Sequence, residues 1–234
     1  MRYGVVFGRL LKAIVLLIIL FAIAVNLRLV ILPQHYDPFI APDLREKPYW
    51  LTSTKLQFID NNAQACSAAL SQAGVSAVIL PRTHHGEACY LENTILMNRF
   101  SVAIVKPEQS KCNIAARLYL WERNVVQPLA QKYFGQNVKE ITHFGSYSCR
   151  TIRRSHNMSE HATANAFDIS GFRLANGRLI GVLARFKTGG PEGKFLHGVR
   201  DGLCDYFNLT LSPDYNLDHA DHFHIDMGRV RSCR

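Results

Sequence analysis

Thirteen consecutive apolar residues, AIVLLIILFAIAV (13–25), constrain this chain more than any other feature. A run of this kind is either buried in a bilayer or removed during export. As a helix it spans about 20 Å, against a hydrocarbon core of about 30 Å. Widening it to Leu10–Ile31 gives about 33 Å and admits Lys12, Asn26 and Arg28, and basic side chains near the ends can snorkel. Arg2, Arg9 and Lys12 come first, which predicts an amino terminus left in the cytoplasm. The rival reading is a cleaved signal peptide with Ala22-Ile23-Ala24 as its A-x-A site. Apolar residues continue past Ala24 as VNLRLVIL, which favours an uncleaved inner-membrane anchor, whereas Arg28 on the outer side weighs against it. Both readings place the rest of the chain in the periplasm.

The cysteines agree with export. All six (Cys66, Cys89, Cys112, Cys149, Cys204 and Cys233) follow the apolar run, and an even count in an exported chain predicts three disulfides. No two are close enough for a zinc-finger-type site. Six cysteines allow about 15 pairings, and neighbour order suggests 66–89, 112–149 and 204–233. Residues 1–28 hold four basic residues and no acidic ones, and the remainder holds 23 basic against 18 acidic. That mild excess suits an anionic polymer or surface, and with no lysine- or arginine-rich run, nucleic acid is not expected as a partner.

The chain divides into an anchor or signal segment (1–32), a proline-rich tether (33–52, four prolines within 33–49) and a domain (53–234). Helices are expected over about 60–73, stopped by Gly74, and over about 112–134. In the second, Ile114, Leu118, Trp121, Val125 and Leu129 recur at helical spacing, Trp121 is assigned to the core, and Pro128 is a kink site. Residues 76–105 read as irregular strands, and 140–148 as a strand. Residues 166–186 read as a hairpin turning at Asn176-Gly177, and 221–227 as a strand. Phe195, Val199, Leu203 and Phe207 mark a short helix after a Gly/Pro loop at 189–193. Helices first and strands later predict an α+β fold.

Two tracts carry chemistry. SEHATANAFD (159–168) separates His161 from Asp168 by seven positions, about 10 Å on a helix or 23 Å on a strand, so the two meet only if the chain turns sharply between them. The small residues Ala162, Thr163, Ala164 and Ala166 permit such a turn; the alternative is two solvated side chains. HADHFHIDMG (219–228) holds three histidines and two aspartates, and His222 and His224 face the same side of a strand. The alternative there is a solvated polar edge. Together His161, Asp168 and one histidine of the second tract make two imidazoles and a carboxylate, a ligand set for catalytic zinc with one position left for water. Zinc lowers the pKa of its water to about 7; a nearby base must then take the proton and a cation must stabilise the oxyanion. His84-His85 and His156 read as loop residues, and the sequons at Asn157 and Asn208 as chance matches.

SEHATANAFDI resembles the S-x-H-x-x-G-x-A-x-D motif of the zinc peptidase superfamily of lysostaphin, the D-Ala-D-Ala peptidases and the Sonic hedgehog fold. More closely, GSYSCR, SEHATANAFDI, YNLDHADHFHIDMG and the six cysteines are similar to the bacterial extensin-like C-terminal domain family, over about Cys66 to Cys233. The resemblance implies a small antiparallel sheet carrying a zinc site and packed with helices. It implies His161, Asp168 and His224 as zinc ligands. It implies His222 as catalytic base, through the H-x-H pair of the lysostaphin-type branch. Asp221 is the second candidate, three residues before the last ligand as in the D-Ala-D-Ala branch; on a regular strand it points away. His219 matches a histidine of the penicillin-insensitive murein endopeptidases, spaced H-x-x-H-x-H. Arg150 resembles the arginine that binds substrate carbonyl or carboxylate groups, with an ordinary surface arginine as the alternative. The motif glycine is Ala164 here. If the turn needs φ > 0, alanine costs on the order of 1 kcal/mol.

The expectation is an exported zinc metallopeptidase acting on peptide cross-links of peptidoglycan, either an endopeptidase or a carboxypeptidase. Two alternatives are a non-catalytic wall-binding module with a structural zinc and a disulfide-stapled domain without metal.

Overall fold

A computed structural model describes the chain except residues 1, 28, 61 and 101 and the side chains of residues 2–5 and 98. Arg28, named above as an outer-side charge, thus lies outside the described residues. The chain forms two compact units, Met1–Ile40 and Ala41–Arg234. In the first, helix α1 (Arg2–Asn26) contains the one described helix long and apolar enough to cross a membrane, Val6–Asn26, and its large apolar side chains from Val6 to Ile23 are exposed, while Val25 is buried. Twenty-one residues rise about 31 Å, enough for a bilayer core. A single helix of this kind near an amino terminus fits a membrane span or a signal sequence equally.

The proline-rich tract does not run as one tether to residue 52. Residues from Ala41 belong to the second unit, where Leu44 is fully buried in the core and Leu51 is buried. The helix expected over about 60–73 is α3 (Ala63–Gln72), and it is preceded by a helix the sequence did not suggest, α2 (Thr52–Asp60). Asn62 caps α3 by accepting the Ala65 N–H at 3.0 Å, and Gly74, at φ +81°, ends it. Short strands β1 (Thr83–His84) and β2 (Tyr90–Leu91) pair by themselves, so His84 is in a strand and His85 follows it. Then come β3 (Thr94–Arg99), β4 (Ala103–Lys111) and helix α4 (Cys112–Trp121). A π-turn over Glu122–Val126 leads into helix α5 (Gln127–Phe134). The irregularity expected at Pro128 is taken up by this π-turn just before it, because proline has no N–H to offer the preceding turn.

Strand β5 (Val138–Gly145) leads to the first histidine tract, and β6 (Ala166–Leu174) turns at Gly177 (φ +90°) into β7 (Leu179–Gly181). The expected hairpin therefore exists, but its second arm is three residues long and gives way to helix α6 (Val182–Arg185). Helix α7 (Pro191–Leu203) starts inside the tract read as a loop. Strands β8 (Leu209–Leu211), β9 (Phe223–Asp226) and β10 (Ser232–Cys233) finish the fold. Among the described residues, eight strands form one sheet in the order β10-β8-β9-β6-β5-β4-β3, with β7 also on β6. The α+β class holds, but the sheet is larger than expected and mixed, because β4–β5 and β10–β8 are parallel.

The core lies on one face of this sheet. Phe167, Ile169, Phe223 and Ile225 are fully buried and alternate along β6 and β9 with the polar residues of the other face. Trp121 is core, as expected: it packs on Phe172 and donates its indole N–H to the Val199 carbonyl at 3.0 Å. Helix α7 comes close to the π-turn because it carries glycine there. A Cβ built on Gly202 would lie 2.5 Å from a Val125 methyl carbon. Gly202→Ala is therefore expected to lower stability by about 1–3 kcal/mol in denaturant unfolding, through overpacking. Gly189→Ala, with nothing within 4 Å, serves as the control and should leave the midpoint in place.

The three disulfides join Cys66–Cys112, Cys89–Cys149 and Cys204–Cys233. Neighbour order picked out the last of these and misassigned the other two. Disulfides need Cα atoms about 4.4–6.8 Å apart, and the docking of α3 on the start of α4 puts Cys66 and Cys112 at 6.1 Å.

Candidate metal centre

Strand register builds the site. Asp168 on β6 lies directly opposite His224 on β9, and Ala166 lies opposite Asp226. Alternation then places His222, His224 and Asp226 on the same side as Asp168, while Phe223 and Ile225 enter the core. A one-residue slip would reverse this and bury the histidines among the phenylalanines.

His161 reaches the same point from a 3-10 turn, Glu160–Thr163. Ser159 caps the turn by accepting the His161 N–H at 3.3 Å. The sharp turn required between His161 and Asp168 is present, and it ends at Ala164 with φ +52° and ψ +29°. The position thus keeps the left-handed conformation that glycine adopts freely, with alanine carrying the strain.

His161, Asp168 and His224 converge, and each is at most 8% exposed. His161 Nε2 lies 3.1 Å from His224 Nδ1 and 3.2 Å from Asp168 Oδ2, and His224 Nδ1 lies 2.8 Å from Asp168 Oδ1. Ligands at zinc–ligand distances of about 2.0–2.1 Å in a tetrahedron are about 3.3 Å apart, so the triangle has nearly the size a zinc ion requires.

The outer partners decide the protonation. His161 Nδ1 lies 2.7 Å from the Ser146 carbonyl, which can only accept, so Nδ1 carries the hydrogen. His224 Nε2 lies 3.2 Å from Asp226 Oδ2, which likewise assigns that hydrogen. Asp226 is itself held, accepting the Gly228 N–H at 2.8 Å. Two imidazole lone pairs and a carboxylate therefore face one point, where only a cation or an added proton satisfies them. Partners of this kind orient metal-binding histidines. In the metal-free protein a proton fills the role. Burial disfavours the His224 imidazolium, but hydrogen bonds to Asp168 and Asp226 outweigh it and push His224 up to about 9. Burial likewise opposes Asp168 ionisation, yet bonds from His161 and His224 hold its carboxyl below the usual range.

His222 stands at the rim. Its Nδ1 lies 2.8 Å from Asp221 Oδ1, and its Nε2 faces the centre, 3.7 Å from Asp168 Oδ1. Asp221 does not point away, as a regular strand would have it. It precedes β9, where the backbone is still a turn, and reaches the side of His222 remote from the centre. Phe144, exposed on β5, sets its ring edge-on to His222 at 5.6 Å. His219 ends a 3-10 turn with its ring 5.2 Å from that of His222 and 5.8 Å from that of His224. Burial, then the neighbouring imidazoles, push it down to about 4.

Arg150 is placed differently. Its carbonyl accepts the Ser159 N–H at 3.1 Å, tying it to the His161 turn, while its exposed side chain makes no ion pair among the described residues. Sequence reasoning missed three contributors. Asp226 had a readable signal, since it lies two residues beyond His224 on the same strand face. Phe144 and the Ser146 carbonyl had none, because a main-chain oxygen has no residue signature.

Comparison with curated proteins and with solved structures returns no match. The family model described as "Extensin-like protein C-terminus" matches residues 64–234, which hold every residue of the cluster and all three disulfides, and the chain belongs to that family.

Proposed function

We propose that this chain is a zinc-dependent peptidase of the periplasm, hydrolysing peptide cross-links of bacterial peptidoglycan and held at the inner membrane by α1. The observation that carries the reading is the convergence of two imidazole nitrogens and a carboxylate, each ring's other nitrogen being held by an outer acceptor, beside a histidine oriented by an aspartate. The resemblance of the histidine tracts to the zinc peptidase superfamily supplies the substrate class.

His161, Asp168 and His224 would hold the ion, which when bound supplies Lewis acidity to polarise a carbonyl and acidify water. His222 offers the Nε2 lone pair on the open side, where it takes a proton from attacking water and returns it to the departing amine. Asp221 fixes the tautomer that leaves Nε2 free, acting as a positioning residue. Phe144 limits rotation of the His222 ring. Arg150 is assigned to substrate carbonyl or carboxylate groups by resemblance, and its exposure leaves the guanidinium available.

Digestion of purified peptidoglycan, with product masses, tests the reading. Wild type should release peptide-linked fragments and His224→Ala none. Intact peptidoglycan with the zinc-loaded wild type would favour a binding module instead. Amino-terminal sequencing of the mature protein tests the anchor: Met1 or Arg2 retained in the membrane fraction is expected, and a start at Val25 with release would mean a cleaved signal.

A further inference from the structure

The Ser146–Tyr147 peptide holds His161 on one side and is itself held on the other. Its carbonyl accepts the His161 Nδ1 hydrogen at 2.7 Å, and its N–H donates to Glu108 Oε1 at 3.2 Å. A carboxylate, one peptide group and a candidate metal ligand are thus joined by two hydrogen bonds in series.

Strand geometry brings Glu108 there. Among the described residues, β4 and β5 pair through Ala103 and Ile104 and then part. Side chains span the gap that follows. His143 Nε2 donates to the Lys106 carbonyl at 2.9 Å, and Glu108 reaches the Tyr147 N–H. β5 ends in a bulge, with Phe144 as the extra residue between the His143–Ile169 and Gly145–Asp168 pairs. Gly145 takes the chain through this bend at φ +111°, and a Cβ built there would lie 3.4 Å from Glu108 Oε2.

Placement of the peptide has other supports. The Ser146 hydroxyl donates to the Ala166 carbonyl at 2.6 Å, and the Ser148 N–H donates to the His161 carbonyl at 3.0 Å. What Glu108 adds is charge. A hydrogen bond at the N–H end of an amide polarises it and strengthens its carbonyl as an acceptor, by about 10–30% per bond. Ser146 and His161 are buried, so water does little to screen the effect. Among the described residues Glu108 makes no ion pair that would neutralise it first. A stronger acceptor at Nδ1 makes the other ring nitrogen, Nε2, a more basic metal ligand.

We infer that Glu108 is a positioning residue of the metal centre, acting through the Ser146–Tyr147 peptide to make His161 a stronger ligand. The inference rests on the zinc site proposed above and not on the choice of substrate.

Full-length protein in detergent micelles, wild type beside Glu108→Gln and His143→Phe, tests it. Glu108→Gln keeps the shape and an acceptor for the Tyr147 N–H and drops the charge. Zinc binding, measured by competition with a chelator, should weaken about fivefold to tenfold, little because Glu108 acts one bond beyond the groups that touch a ligand. The His161 Nδ1–H resonance, read by nitrogen-edited NMR with and without zinc, should move upfield as its hydrogen bond weakens. His143→Phe removes the neighbouring link between β4 and β5, keeps a ring against Phe167, and should change neither readout. Native tryptophan emission and three intact disulfides would show that both variants fold. Unchanged affinity or an unmoved resonance in Glu108→Gln overturns the inference. An equal loss in His143→Phe also overturns it, by assigning the effect to the strand contact. If the wild type binds no zinc, the metal reading falls by itself; the metal-free resonance then supports the action of Glu108 on His161 if it moves and overturns it if it does not.

Discussion

Zinc titrated into the metal-free protein should bind at one site per chain, with an apparent affinity that climbs about tenfold per pH unit from pH 7 towards 9. Below about 9, His224 in the metal-free protein carries a proton between itself and Asp168, and the ion must displace it. The slope should flatten above that value. Calorimetry in buffers of different ionisation enthalpy should show about one proton released per zinc at neutral pH. The stability of the metal-free protein should move the opposite way. A histidine raised in the folded state stabilises below its unfolded value of 6.5, and that contribution is lost as pH rises through about 9. Asp168→Ala should lower zinc affinity by about three orders of magnitude or more, because it removes the charged ligand. Asp226→Asn should cost about 10–100-fold through the orientation of His224. Two sites per chain, or wild-type affinity in Asp168→Ala, would end the assignment.

His222→Ala should reduce turnover about 10³-fold or more while leaving one zinc bound, since a general base contributes about 10²–10⁴-fold and is not a ligand. Asp221→Ala should cost less, about 10–100-fold. Its carboxylate is 46% exposed, so water can take its place on His222 Nδ1. Loss of metal from His222→Ala would convert that residue from base to ligand. Activity surviving in the Asp221→Ala, His222→Ala double mutant would remove both from the chemistry.

The residue types of the candidate site were legible in the sequence from two dense tracts, while the choice of His224 among the histidines of the second tract came from the family resemblance. His222 and His224, two apart in an alternating tract, had to share a face once the tract became β9. His161 and Asp168 could meet only across a tight turn, and the small residues between them pointed to one. The apolar helix was legible because unbroken hydrophobicity needs no tertiary partner to reveal it.

Which strand lies beside which is a different kind of information. Nothing local specified that β6 would take β9 on one side and β5 on the other, and that placement alone puts Asp168 opposite His224. Disulfide pairing failed for the same reason at Cys66 and Cys89: bond formation depends on Cα proximity after packing, and α3 docks on α4 rather than on the strand next in sequence. The tether was drawn too long because prolines in 33–49 signal extended chain, while the burial of Leu44 depends on a core assembled from residues far along the sequence. The same holds for Ala164. Composition cannot report φ, and the left-handed turn persists without glycine because Ser159 caps it, Ser146 accepts from His161, and β6 holds its far end. The sequence by itself determined the chemistry available and the face it occupies. The tertiary structure decided which groups meet, because contacts between distant segments are set by the packing of the whole chain.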